Sequence, residues 1–140
     1  MLRIDMLLIF LVAYGAASLL HHVHNAEFLT EYPNMPAWLS RAQVYAAWVG
    51  VTAVGLAGYL LMRWRYRLGG LLALGIYGAL GLYGLAHYVV APPSSHTSAM
   101  NITIWLEVTT GLLLLAAVAS SMLRLSRRQR ETKGRSWATR

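Results

Sequence analysis

Apolar residues run along this chain in four long blocks, about Asp5–Asn25, Ala42–Met62, Leu68–Ala91 and Ile102–Leu123, with polar and basic residues gathered between them. Each block holds roughly the 20 residues that a helix needs to cross a hydrocarbon layer. The connecting stretches are short, so the pattern predicts an all-α, integral membrane four-helix transmembrane bundle of up-and-down topology. Residues 1–124 form the four-span membrane domain and 125–140 a basic cytoplasmic tail, for which a helical extension along the membrane surface is the most structure expected. Ser40 followed by Gln43 is a capping-box spacing that marks the start of the second helix. In the loop before it, Pro33-Asn34 reads as a turn, and Tyr32 and Trp38 suit the headgroup region.

Polar residues inside the blocks are few, and they are not scattered. In the first block Tyr14, Ser18, His21 and Asn25 recur at i, i+4, i+7 and i+11, which places them on one helical face. His24 joins that face and His22 points away from it. Lipid cannot satisfy such a stripe, so it should face protein or a water-lined cavity. The third block repeats glycine at Gly75, Gly78, Gly81 and Gly84, a spacing that suits close helix packing or room for a flat cofactor. Tyr83 and His87 follow at i and i+4. In the fourth block Glu107 is flanked by Thr103 and Thr110.

Composition strengthens the membrane reading. The chain is 57% hydrophobic and 12% charged, about half the charged fraction of an ordinary soluble domain. Its net charge of +7 resides in short clusters, without the interleaved stacking aromatics of a nucleic-acid groove, so the lipid bilayer rather than DNA or RNA is the expected partner. Of twelve Lys and Arg residues, only Arg41 lies on the side opposite Arg3, the Arg63–Arg67 cluster and the tail. That asymmetry places both termini in the cytoplasm, loops 26–40 and 92–101 outside, and the protein in a bacterial inner (plasma) membrane. Arg3, the apolar run Met6–Leu20 and the small residues Gly15-Ala16-Ala17 resemble a secretory leader. The polar face continues through the supposed cleavage point, so the first helix is expected to remain.

With no cysteine in the chain, disulfides, thiolate metal sites and thiol catalysis are excluded. What remains is a layer of ionisable residues in the outer half of the bundle: His21 and His24, His87, Glu107, and Arg41, Gln43 and Tyr45 at the start of the second helix. Ionisable groups at such depth are costly and usually have a partner or a task. A His-plus-carboxylate set without sulfur suits zinc, iron or copper, so His21, His24, His87 and Glu107 are the expected metal ligands. Tyr14, Ser18, Asn25, Tyr83, Thr103 and Thr110 are the supporting polar residues. Glu27 and His96 are outer-loop candidates, and Met35 and Met100 would add soft ligands for copper.

Two other readings use the same residues. The layer could be a hydrogen-bonded polar core in an accessory subunit that binds a membrane partner or another copy of itself. It could also hold a haem between His21 and His87, with Gly84 making room, or relay protons, although no histidine pairs at matched inner and outer depths mark a two-haem conduit. Catalysis has less support, since there is neither a nucleophile elbow nor the larger histidine set expected of membrane di-iron enzymes. Histidines beside Glu107 would titrate together, so a change in stability or binding is expected between about pH 5 and 7.

Overall fold

The structure, a computed structural model, describes residues 2–138, with side-chain detail for 6–127 and 129–131. Arg140 of the expected basic tail lies outside the described residues, as do the side chains of Arg3, Arg128, Lys133 and Arg135. Helix accounts for 86% of the chain and no strand occurs among the described residues, so the fold is all-α. Helix α1 spans Leu2–Glu27, α2 Arg41–Arg63 and α3 Arg67–Leu80; a 3-10 segment, Gly81–Leu85, joins α3 to the short α4, Ala86–Val90, and α5 spans Ser98–Ala138. Four stretches are long and apolar enough to cross a membrane: Met6–Glu27, Arg41–Arg63, Arg67–Val90 and Ser98–Glu131. The basic tail is helical as far as Ala138, because α5 runs from Ser98 through it for 41 residues in all. That is roughly 60 Å at 1.5 Å per residue.

α1 packs against α2 and α5, and α3 packs against α2 and α5. The enclosed core contains Leu7, Tyr14, Leu71, Leu74, Tyr77, Leu114 and Val118. The outward faces are also apolar: Ile9, Val12, Val49, Leu56, Ile76 and Leu112 are all exposed. A continuous apolar exterior of this extent is unfavourable against water and suits contact with lipid tails.

Glycine lets the helices meet closely. A Cβ on Gly111 would sit 2.7 Å from the Gly78 carbonyl oxygen, and one on Gly78 would sit 3.0 Å from the Gly111 carbonyl oxygen. Bulkier residues would therefore push α3 and α5 apart, losing the dispersion contacts that bind helices in an apolar solvent. A Cβ on Gly81 would meet the Tyr14 ring at 2.7 Å, so this glycine seats Tyr14 in the core. Beside Gly84 the space is filled by Glu107, Val108 and Ile104, with a Glu107 carboxyl oxygen 3.2 Å from where a Cβ would be. The glycine repeat thus serves packing.

The helix ends follow local chemistry. The Ser40 hydroxyl accepts from the Gln43 N–H (3.3 Å), and the Gln43 side chain accepts from the Ser40 N–H (2.8 Å), completing the capping box. At the other end of α2, the Tyr66 N–H reaches the Leu61 carbonyl and the Arg65 N–H the Met62 carbonyl. With Arg65 at φ 73°, this is a Schellman closure carrying arginine where glycine is usual.

Candidate functional site

The α1 stripe faces inward toward α5 and the 81–90 segment. Tyr14, Ser18, His21 and Asn25 are all buried, as are Thr103 and Glu107 on α5. His21 and Glu107, each 3% exposed, face one another with His21 Nε2 3.7 Å from Glu107 Oε2. His22 also reaches this carboxyl group, its Nδ1 lying 3.7 Å from Oε1. It therefore belongs to the site, contrary to the expectation that it points away. A helical step of about 100° leaves neighbouring long side chains close enough to flank one group on a facing helix.

The bonds around His21 assign its tautomer. The Thr103 hydroxyl donates to the Met100 carbonyl (3.0 Å), so its oxygen is left to accept from His21 Nδ1–H at 3.4 Å. His21 Nε2 then carries a lone pair, and it points at a carboxyl oxygen. Two acceptors facing each other in a buried site are reconciled by a positive species between them, whether a proton or a metal ion. The 3.7 Å gap exceeds a direct hydrogen bond. It is close to the separation of two donors that share an ion at about 2.0–2.2 Å from each.

The remaining histidines line up away from this pair. The His87 ring centroid is 5.2 Å from that of His21, and the His96 centroid is 6.1 Å from His87, both edge-to-face. Asn25 Nδ2 lies 3.4 Å from His87 Nε2. His96 is 7% exposed and donates from Nδ1 to the Pro92 carbonyl at 3.1 Å, leaving its buried Nε2 without a partner. His22 likewise donates from Nδ1 to the Ser18 carbonyl at 2.9 Å. A backbone carbonyl that holds Nδ1–H and leaves Nε2 open is the arrangement commonly found around metal-ligating histidines.

Not every expected residue joins the site. His24 turns to the loop, where its Nδ1 and the Tyr32 hydroxyl share a hydrogen bond at 2.9 Å and its ring lies against Phe28. Tyr83 is 80% exposed and takes no part in the layer. The cause is the 3-10 winding of Gly81–Leu85. With the steps up to Leu85 wound at three residues per turn, Tyr83 and His87 diverge by roughly 80–100° instead of about 40°. Thr110 bonds back to the carbonyls of Leu106 (2.6 Å) and Glu107 (3.1 Å) on its own helix. Glu27 accepts from the Tyr45 hydroxyl at 2.6 Å and pairs with Arg41, tying α1 to α2 beside the surface. Among the described residues, no group of three His, Asp or Glu side chains is arranged to hold a metal ion.

Tyr32 is the residue that sequence reasoning placed in the headgroup region and the fold buries. It is 3% exposed, with its ring 5.0 Å from His87 and 6.4 Å from His96. Asn34, at φ 56°, donates to the Val90 carbonyl at 2.8 Å and pins this loop over the histidines. Burial pushes the Tyr32 phenol up to about 12; a bond with Thr103 works against that rise and the nearby Glu107 charge adds to it. A tyrosine followed by a Pro-Asn turn was the available signal, since such a turn folds the chain back on itself. Beyond Ser18 and Tyr14 the layer meets the core of Leu7, Leu71, Leu74, Tyr77, Leu114 and Val118. Tyr77, its ring 4.5 Å from that of Tyr14, carries a further buried hydroxyl toward α2. No family model, curated protein or solved structure matches the chain.

Proposed function

We propose that this chain is an up-and-down integral membrane protein that binds a transition metal ion at His21 and Glu107, in the half of the membrane nearer the outer face. The observation that carries this reading is His21 Nε2, the ring nitrogen turned away from Thr103, lying 3.7 Å from a Glu107 carboxyl oxygen in a buried site. Nitrogen and oxygen donors without sulfur suit zinc, iron or copper. His87, whose ring lies beside His21, and His22, which flanks the same carboxyl group, are the further imidazoles at hand. His24 has no part in this ligand set, because it is held by Tyr32. The excess of Lys and Arg at the opposite end supports cytoplasmic termini.

A second reading has its own observation. His22, His24 and His96 are each hydrogen-bonded within the chain, as they would be in the polar core of an accessory subunit that contacts a membrane partner or another copy. Elemental analysis and an absorption spectrum of the purified protein separate the readings. One equivalent of metal, lost in His21→Ala, supports the first, and metal-free, colourless, stable protein supports the second. A Soret band would point to haem and overturn both.

A further inference from the structure

We propose that the groove between the α2–α3 turn and the extended part of α5 binds an anionic phospholipid, its phosphate held by Arg65 and Arg67 and its acyl chains lying along Leu61, Leu68 and Leu125. These five residues line one shallow, open depression at the end of the bundle remote from the histidines. It lies where one apolar span ends at Arg63 and the next begins at Arg67, the level at which a bilayer changes from tails to headgroups. Exposed Trp64 and Tyr66 at the same turn have the amphipathic rings that favour that level. The groove therefore offers cations at headgroup height and leucines below them, matching the two ends of a lipid.

Charge selects the kind of lipid. Among the described residues, the ion pairs are those of Glu107 with His21 and His22 and of Glu27 with Arg41, so neither Arg65 nor Arg67 has a carboxylate partner. Zwitterionic headgroups bring a positive group along with the phosphate, whereas phosphatidylglycerol brings net negative charge. Arg65 also occupies the left-handed position of the Schellman closure, at φ 73°. Glycine would close α2 there with less strain. The chain keeps a guanidinium at a position where the backbone alone favours its removal.

That conflict gives the test. Full-length protein in neutral detergent is equilibrated with phosphatidylglycerol and phosphatidylcholine in equal amounts, and retained lipid is counted by native mass spectrometry. Wild-type protein should retain phosphatidylglycerol preferentially. Arg65→Gly and Arg67→Gln should each cut that preference about fivefold, the equivalent of ~1 kcal/mol per basic residue near a lipid surface. Arg65→Gly should do so with an unchanged or raised unfolding temperature, which separates lost lipid from lost fold. Equal retention of the two lipids overturns the proposal, as does an undiminished preference in both variants. Displacement of the lipid by millimolar inorganic phosphate would overturn it too, by showing a simple anion site.

Discussion

Replacing Glu107 with glutamine separates a metal ligand from a piece of structural polar glue, because the two roles predict effects of opposite sign. In the wild-type site two acceptors face each other, His21 Nε2 and Glu107 Oε2, at 3.7 Å. An amide of the same shape can turn its N–H toward Nε2 and convert that opposition into a hydrogen bond. Such bonds between membrane helices average ~0.6 kcal/mol, so the metal-free Glu107→Gln variant should be as stable as wild type or slightly more so. Its metal affinity should fall at least 100-fold, about 2.7 kcal/mol, since even outer-shell partners of metal sites are worth 10–100-fold. Unfolding in mixed micelles with increasing denaturing detergent reports the first quantity, and zinc or copper titration of the same samples reports the second. Unchanged affinity would refute the ligand role of Glu107. A loss of several kcal/mol in metal-free stability would refute the assigned tautomer, because it would mean that Glu107 already accepted a strong bond.

Other consequences follow from the same geometry. His24→Ala should leave metal affinity within about threefold of wild type, because His24 is engaged with Tyr32, whereas His21→Ala should abolish high-affinity binding in the same titration. Gly111→Val should destabilise the bundle by about 1–3 kcal/mol, since even a first side-chain carbon meets the Gly78 carbonyl at 2.7 Å; detergent unfolding measures it. Tyr32 has a phenol raised from about 10 in the unfolded chain to about 12 in the fold. Its contribution is therefore full below pH 10 and lost as pH rises through 12. Tyr32→Phe should flatten that alkaline decline, and an identical decline in the variant would disprove the assignment. Tyr83→Ala should leave metal affinity unaltered, because this side chain faces outward.

Much of this arrangement is legible in the order of residues, for physical reasons that also explain the failures. Four spans can be read because a hydrocarbon layer demands about 20 apolar residues per helix, and Ser40 with Gln43 announces α2 because few other side chains satisfy exposed N–H groups. The inward face of α1 follows from regular 3.6-residue periodicity, and Glu107 stands out as the lone acidic residue in the interior of an apolar block. Tyr83 was misplaced because the periodicity changes to three per turn over Gly81–Leu85, a local tightening that composition does not announce. His22 lies off the Tyr14–Asn25 face, yet an imidazole is long enough to flank the carboxyl group that this face meets. The burial of Tyr32 depends on a contact from Asn34 to Val90, 56 residues apart, and such pairings have no local signature. The ladder from His96 through His87 to His21 likewise exists only once α1, α4 and the loop before α5 meet.

The most direct test of the metal reading is X-ray absorption at the metal edge of zinc- or copper-loaded protein, compared with the His21→Ala variant. Bound metal should show nitrogen and oxygen neighbours at about 2.0–2.2 Å, with imidazole scattering that weakens when His21 is removed. A spectrum identical in the two proteins, or one showing water ligands alone, would contradict it.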